Sequence, residues 1–333
     1  MLNAILVVGV GSIGKRHISN FKKYFKKIDI ADTRLDRLKD VSKLYKIRNS
    51  YKSYIDALKN HNDYSAVIIC TPPHLHLDIA KEAVKKNINL FIEKPLSINS
   101  KGWKELNRKI INKKLINYVA FCHRHIKYTQ KLKSLLDKKI IGKIININLR
   151  WGSYLPDWHP YEDYRSFYMA KKNQGGGALL DESHGIDLVR YLFGEVDSVF
   201  GKVGNFSDLE ISSDDNAYLT FIFKEKIIGH LNFDLVARHP RIYLEINGSE
   251  GIIIWDRVEH VIKIFEIKKN KWKTLNFSKE EFMEMYPRQA KHFINCLKGK
   301  EKEKIDITDA LKTQNLIDTS FSSSKYEKLL KIK

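Results

Sequence analysis

Cysteine, proline and methionine are scarce in this chain, and no long apolar run interrupts it. Only three cysteines, seven prolines and four methionines occur among 333 residues. The cysteines, Cys70, Cys122 and Cys296, are too few and too far apart for a disulfide framework, and their spacing matches no zinc motif. No apolar stretch approaches the roughly 18 residues of a membrane span. We therefore expect no metal site and no membrane segment.

The N-terminal apolar stretch, residues 4–8, is also unlike a signal peptide. It is short, follows no basic segment and runs directly into glycines, whereas a signal peptide has a basic start and a longer apolar centre. We expect a cytoplasmic protein.

Acidic residues are outnumbered, with 39 Asp and Glu against 59 Lys and Arg and a net charge of +20. The lysines are spread over all presumptive helices, and the densest run, residues 298–304, alternates with glutamates. A nucleic-acid-binding surface needs its basic residues clustered on one face. We interpret the charge as solvated surface and expect no nucleic-acid partner, while a modest attraction for an anionic substrate stays open.

The length and the 43% hydrophobic content predict two folded domains. Over the first 120 residues, short apolar runs alternate with amphipathic stretches, which is typical of a doubly wound parallel sheet. The predicted strands are residues 4–8, 28–31, 66–70, 90–92 and 118–121, and the predicted helices are 13–25, 35–45, 75–86 and 102–112. This domain is expected to span residues 1–122.

The second half, residues 123–333, has a different pattern of longer, alternating strands. It predicts an α+β domain with a large, mostly antiparallel open sheet. The predicted strands are residues 143–151, 216–223, 227–235, 243–247, 252–255 and 261–265, with a turn at 248–251 and a helix over 179–193. A last helix, near 308–322, is expected to pack back on the first domain.

A glycine-rich segment follows the first predicted strand and opens the first predicted helix. Gly9-Val10-Gly11-Ser12-Ile13-Gly14 matches G-x-G-x-x-G, the fingerprint of a dinucleotide-binding Rossmann domain in this context. Gly9 permits a tight turn, Gly11 lets the backbone approach a pyrophosphate, and Gly14 brings helix and strand together. The main-chain N–H groups of Ser12 and Ile13 begin the helix, where its dipole favours phosphate.

The residues at the end of the second predicted strand bear on the choice between NAD and NADP. Asp32 stands about 20 residues after the glycines, where a carboxylate accepts hydrogen bonds from the adenosine ribose and favours NAD. Arg34 offers a guanidinium that would pair with the 2′-phosphate of NADP. The sequence therefore favours NAD and leaves NADP open.

Two further segments follow predicted strands at the carboxyl edge of the sheet, where open α/β folds bind ligands. Thr71-Pro72-Pro73-His74-Leu75-His76 comes after the strand at 66–70, and Glu93-Lys94-Pro95 comes after the strand at 90–92. We expect Thr71, Pro72, His76, Glu93 and Lys94 to border the dinucleotide, although a Glu-Lys-Pro tripeptide alone is more often a surface turn.

Together these segments resemble the Gfo/Idh/MocA family of glucose–fructose oxidoreductase, inositol dehydrogenase and relatives. The glycine loop, the segment ending in His76 and Glu93-Lys94-Pro95 occur in that family's order. The stretch Gly175-Gly176-Gly177-Ala178-Leu179-Leu180-Asp181-Glu182-Ser183-His184-Gly185-Ile186-Asp187 is similar to its Gly-Gly-Gly…Asp…His…Asp segment. Ile141-Gly142-Lys143 and the turn at 248–251 also fit. The resemblance covers almost the whole chain, to about residue 322.

The resemblance implies a Rossmann domain, an open-sheet domain that often serves in homodimers or homotetramers, and hydride transfer between a nicotinamide and a sugar or polyol carbon. Lys94, Asp181 and His184 match the family's catalytic residues. One spacing differs, because His184 follows Asp181 by three residues where many relatives have four. On one continuous helix both intervals share a face, yet the roles of Asp181 and His184 stay open.

Oxidation of a secondary alcohol needs a base and a donor to the developing oxyanion. Histidine titrates near cytoplasmic pH, so His184 is the expected base. Lys94 would donate to the reacting oxygen, and Asp181 would orient His184 or bind a substrate hydroxyl. Without the resemblance, Asp181 as a helix cap and His184 as a core residue would be the preferred interpretation.

Further substrate contacts are expected from two places. His123 and Arg124 follow the strand at 118–121, and Trp158, Tyr164 and Arg165 lie in an aromatic segment, residues 158–165. Aromatic faces and a guanidinium suit sugars and their acidic derivatives, but interface or loop packing explains that segment equally well. Two alternatives to a sugar or polyol dehydrogenase stay open: a cofactor-retaining enzyme that uses transient oxidation, such as an epimerase or a glycoside-cleaving enzyme, and a non-catalytic dinucleotide-sensing regulator.

Overall fold

The structure, a computed structural model, describes residues 1–60, 63–158, 160 and 162–332. These residues form two units. The first comprises Met1–Phe121 and Tyr286–Leu311, and the second comprises Cys122–Met285 and the described chain from Lys312 onward. The sequence predicts one boundary after residue 122, whereas the structure returns residues 286–311 to the first unit. A single boundary therefore does not describe the division.

The first unit contains a six-stranded sheet whose paired strands are all parallel. Its strand order is β3-β2-β1-β4-β5-β6. In chain order its first elements are β1 (Leu2–Val8), α1 (Ser12–Phe21), β2 (Phe25–Ala31), α2 (Leu35–Leu44), β3 (Asn49–Tyr51), α3 (Tyr54–Asn60), β4 (Tyr64–Ile69), α4 (His76–Lys85), β5 (Asn89–Ile92), α5 (Trp103–Asn112) and β6 (Asn117–Val119). The predicted doubly wound parallel sheet is confirmed.

The strand order explains where this sheet binds ligands. It reverses beside β1, because β2 pairs on one side and β4 on the other. Loops leaving the carboxyl ends of β1 and β4 therefore diverge and open a crevice at that edge. The strands themselves are buried on both faces, as in β1 from Ala4 to Val8, which is why they are continuous apolar runs.

The second unit contains a nine-stranded sheet of order β14-β13-β12-β11-β7-β10-β9-β8-β15. Its β10 runs parallel to β7, and its other paired strands are antiparallel. The remaining elements of the chain are α6 (Lys127–Asp137), β7 (Ile144–Tyr154), α7 (Ala178–Asp181), α8 (Ser183–Phe193), β8 (Val196–Gly204), β9 (Asn216–Phe223), β10 (Ile228–Asp234), β11 (Val236–Gly248), β12 (Gly251–Asp256), β13 (Val261–Glu266), β14 (Lys271–Asn276), α9 (Lys279–Met283), α10 (Met285–Leu297), α11 (Ile307–Tyr326) and β15 (Leu330–Lys331). Of these, α10 from Tyr286 onward and α11 up to Leu311 belong to the first unit. The predicted mostly antiparallel sheet is confirmed.

Helix α8 packs closely on this sheet. A Cβ at Gly185 would lie 2.5 Å from Phe233 and 3.1 Å from Leu149 and Trp151. Glycine at position 185 thus lets α8 approach β7 and β10, and it fixes the position of the neighbouring His184.

The predicted continuous helix over residues 179–193 is wrong in one respect. The structure ends α7 at Asp181 and begins α8 at Ser183, with Glu182 outside both helices at φ −88° and ψ 22°. Asp181 and His184 therefore lie on different helices and do not share the face of one. No helix in the described part of the chain is long and apolar enough to cross a membrane.

Candidate active site

Two of the three fingerprint glycines are required by close packing. Gly9 has φ +85°, and a Cβ there would lie 2.6 Å from the Cys70 carbonyl oxygen. A Cβ at Gly14 would lie 2.1 Å from the Gly9 carbonyl oxygen. Contacts this short exclude any side chain, so both glycines hold the loop tightly between β1, β4 and α1.

Gly11 differs, because the space beside it is open. A Cβ there would meet only the end of the Arg37 side chain, at 3.4 Å. Gly11 is also the N-cap of α1, it makes no side-chain cap hydrogen bond, and the first turn has no acidic residue. Main-chain N–H groups and clear space suit a pyrophosphate at a helix N-terminus, so the loop fits the phosphates of a dinucleotide.

Asp32 is held beside this loop by main-chain hydrogen bonds. Its Oδ2 accepts from the Val10 N–H at 2.8 Å, and its Oδ1 accepts from the Arg34 N–H at 2.9 Å. The Arg34 guanidinium donates to Asp36 at 2.5 and 3.2 Å, and this partner lowers the pKa of Asp36 to about 2. The sequence interpretation did not select Arg37, whose guanidinium would lie 3.4 Å from a Cβ at Gly11.

The segment after β4 is tied to the segment after β5 through a buried histidine. His76 is fully buried, with Nε2 2.8 Å from the Thr71 carbonyl oxygen and Nδ1 3.1 Å from that of Pro95. Burial lowers the pKa of His76, although these carbonyls oppose the shift. His76 thus joins two loops at the carboxyl edge, while Thr71 and Pro72 are partly exposed there.

Glu93 and Lys94 directly follow β5. The Glu93 carboxylate is buried, with Oε1 2.6 Å from Nε2 of His17 and Oε2 accepting the Lys94 N–H at 3.1 Å. Lys94 is partly exposed. Since β1 and β5 run parallel in one sheet, Lys94 stands at the same edge as the glycine loop. His17 is a participant that the sequence interpretation missed, because its partner is 76 positions away.

In the second unit, His184 lies in a stack of rings. The centroid of its imidazole lies 4.4 Å from that of the His123 ring, and the two ring planes are 11° apart. The centroids of the His123 and Trp151 rings are 5.1 Å apart. The Cys122 Sγ is 4.0 Å from His184 Nε2. Among these residues His184 alone is partly exposed, so the structure brings the predicted His123 and His184 together and leaves His184 accessible.

Cys122, His123 and His184 each have one atom of a kind that can ligate a metal ion, and these three atoms lie within 4.8 Å of one another. The sequence spacing did not indicate this group. The two imidazoles are nearly parallel, so their in-plane lone pairs do not converge on one point. A tetrahedral metal needs converging ligands, and the stacked arrangement does not supply them.

Asp181 ends α7 and contacts a different partner. The Tyr168 hydroxyl donates to its Oδ1 at 2.6 Å, and the Asp181 side chain is buried. Tyr168 is a second site residue that sequence reasoning missed, because the contact depends on the fold of residues 164–177. Asp181 and His184 are thus held by separate groups on either side of the helix break.

The start of α7 is held by Asp214 instead of by Asp181. Asp214 Oδ2 accepts the Leu179 N–H at 2.9 Å, and a Cβ at Gly177, which has φ +116°, would lie 2.2 Å from Asp214 Oδ1. Burial raises the pKa of Asp214 to about 6. The alternative interpretation of Asp181 as the helix cap is therefore wrong.

Arg124 is engaged within the second unit. Its Nε and Nη2 donate to the two Asp187 carboxylate oxygens at 2.8 and 2.5 Å. Asp187 is 1% exposed and lies on α8, three residues after His184. This bidentate pair anchors α8 to the segment that carries His123, and the expected contact between Arg124 and substrate stays a prediction.

The aromatic segment contacts both its neighbours in the sequence and the distant Glu210. Trp158 donates from Nε1 to the Ser153 hydroxyl at 2.9 Å, and the Tyr164 hydroxyl accepts from the Glu210 N–H at 3.3 Å. The exposed Arg165 donates to Asp163 at 2.9 Å and to Glu210 at 2.6 Å, and these carboxylates raise its pKa. The intervening His159 and Tyr161 lie outside the described residues.

Two family models match the chain. The NAD-binding Rossmann domain of the oxidoreductase family matches residues 4–121, and the GFO/IDH/MocA C-terminal domain matches residues 129–254. The chain belongs to the Gfo/Idh/MocA oxidoreductase family. Its cofactor is NAD, held by the first unit, and it is an oxidoreductase.

The similarity to individual relatives extends over most or all of the chain. The myo-inositol 2-dehydrogenase of Thermotoga maritima is 27% identical over 313 residues, which cover 91% of this chain and 90% of that protein. A levoglucosan dehydrogenase in complex with NADH and levoglucosan superposes with a TM-score of 0.88 at 20% identity, covering 99% of both chains. The WlbA dehydrogenase of Bordetella pertussis with NADH and UDP-GlcNAcA gives a TM-score of 0.87 at 20% identity over 100% of this chain and 98% of the other. These structures show the shared fold.

Proposed function

We propose that this oxidoreductase transfers a hydride between NAD and a secondary hydroxyl carbon of a sugar, sugar derivative or cyclic polyol. The observation that carries the proposal is Lys94, a cation at the sheet edge where the glycine loop receives the dinucleotide. A dinucleotide sensor has no need of such a residue. The substrate class rests on the relatives, whose names give myo-inositol, levoglucosan and UDP-GlcNAcA.

NAD, when bound, accepts or returns the hydride. His184 accepts the hydroxyl proton during oxidation, and its partly exposed ring makes that exchange feasible. His123, stacked on it, restricts its orientation. Lys94 donates a hydrogen bond to the reacting oxygen and stabilises the alkoxide. Asp181, held by Tyr168, accepts from a neighbouring substrate hydroxyl.

The test begins with titration of tryptophan fluorescence by NADH and NADPH, followed by a screen of sugars, inositols and nucleotide sugars for NADH formation. Lys94→Ala is expected to abolish turnover and keep NADH binding. The matched control is Lys101→Ala, an exposed lysine of the same unit, which should keep both. Unchanged turnover in Lys94→Ala refutes the assignment, and net isomerisation without free NADH would establish transient oxidation instead.

A further inference from the structure

Glu93 forms a bridge between the fingerprint helix and the main chain of Lys94. Its Oε1 lies 2.6 Å from His17 on α1, and its Oε2 accepts the Lys94 N–H at 3.1 Å. Both contacts use one carboxylate, and the Glu93 side chain that carries it is 11% exposed. The bridge therefore connects the helix that begins at the dinucleotide with the backbone that carries the catalytic lysine.

The surroundings of this bridge are aromatic. The His17 ring lies 4.9 Å from Phe91 in an edge arrangement and 6.0 Å from Phe21 in a stacked one. His17 is 1% exposed. Phe91 belongs to β5, so the strand that leads into Glu93 also fixes the plane of the His17 ring.

Stability alone does not account for a polar pair in such a place. Burying a carboxylate is unfavourable, and apolar residues of similar volume commonly give equal or greater stability. The pair instead restricts geometry. Because one carboxylate contacts both the His17 ring and the Lys94 N–H, it fixes the positions of these two groups relative to each other. The position of a reacting group matters, since a displacement of about 1 Å costs on the order of 10²-fold in rate.

We propose that Glu93 and His17 are positioning residues that set Lys94 relative to α1. The inference rests on the proposed function, in which Lys94 donates to the reacting oxygen. Neither positioning residue touches substrate in this scheme. Glu93 acts through the Lys94 main chain, and His17 acts through Glu93.

The first test compares Glu93→Ala with Glu93→Gln, using the compound that wild type turns over fastest. Glu93→Ala should lower kcat about 10²-fold with an NADH Kd within about threefold of wild type. Glu93→Gln should recover most of the kcat, because its amide can accept from the Lys94 N–H and donate to His17. The control is Glu301→Ala, which removes another 2.6 Å glutamate–histidine contact of the first unit, to His292, and should keep wild-type kcat.

A double variant separates positioning from general destabilisation. His17→Ala combined with Glu93→Ala should be no slower than Glu93→Ala alone, because His17 acts through Glu93 and groups that act as one unit are not additive. Additive losses, or wild-type kcat in folded Glu93→Ala, would overturn the proposal.

A spectroscopic test needs no turnover. Reductive methylation with ¹³C-formaldehyde labels lysines, and the Lys94 resonance is assigned by its absence in Lys94→Arg. Glu93→Ala should move this resonance and Glu301→Ala should not. An unmoved resonance overturns the positioning role, whereas a moved resonance in a protein that turns over no sugar or polyol would preserve it and refute the proposed function.

Discussion

The buried ion pair between Arg124 and Asp187 gives the sharpest stability prediction. Arg124→Met keeps the apolar stem but removes both hydrogen bonds, of 2.8 and 2.5 Å. The Asp187 carboxyl then stays buried without its guanidinium partner, with its side chain 1% exposed. Removing one partner from a buried pair destabilises a protein by about 3–5 kcal/mol. We expect a loss of this size in the free energy of unfolding.

Guanidinium unfolding followed by circular dichroism measures the loss, and steady-state kinetics run beside it. Arg124→Met combined with Asp187→Asn should recover much of the stability, because no unpaired charge is then buried. The control is Arg165→Met, which breaks exposed ion pairs and should leave the unfolding midpoint unchanged. A loss below about 1 kcal/mol with a raised KM would show that Arg124 binds substrate and would refute the structural role.

Three further predictions concern the glycine loop, α7 and Asp181. Gly11→Ala should fold and weaken NADH binding about tenfold or more. Gly14→Ala should instead lower the melting temperature, because its Cβ would lie 2.1 Å from a carbonyl oxygen. Equal effects on NADH binding and on melting temperature in the two variants would contradict this. The pKa of Asp214 is raised from 3.8 to about 6. Its contribution to stability is therefore largest below pH 3.8 and is lost as the pH rises through about 6, which lowers the free energy of unfolding by about 3 kcal/mol. Asp214→Asn should flatten that slope in unfolding measured from pH 4 to 8, and an unchanged slope would rule the group out. Tyr168→Phe removes the hydrogen bond to Asp181 and should lower kcat/KM by about 10- to 10²-fold, as for a bond to a charged group, with unchanged NADH binding; wild-type kcat/KM would exclude the contact from the site.

Much of the parallel sheet was predictable, because strands buried on both faces are continuous apolar runs and the glycine fingerprint stands between β1 and α1. Three of the missed strands, β3, β14 and β15, are short or polar, whereas the fourth, β8, has nine residues in which Asp197, Lys202 and two glycines interrupt the apolar pattern. β3 has three residues, and β14, Lys271–Asn276, is largely exposed at an end of the sheet order. An exposed edge strand carries little of the alternation from which strands are inferred.

The site was predictable in its residues more than in its contacts. Motifs selected His184 and Lys94 as candidates, but the partners Tyr168 and His17 come from distant positions that local patterns do not pair. The helix break at Glu182 was missed because the apolar pattern continues through residues 179–193. The pair between Arg124 and Asp187 was missed because the two residues are 63 positions apart in the sequence.

The central claim is that the NAD held by the first unit oxidises a sugar or polyol with the help of Lys94. The most direct measurement is NADH formation from NAD and a panel of inositols, anhydrosugars and nucleotide sugars, for wild type and Lys94→Ala at equal occupancy by NAD. The account predicts NADH formation by wild type and its loss in Lys94→Ala. Equal rates in the two proteins, or failure of NAD and NADH to bind at low-millimolar concentration, would contradict it.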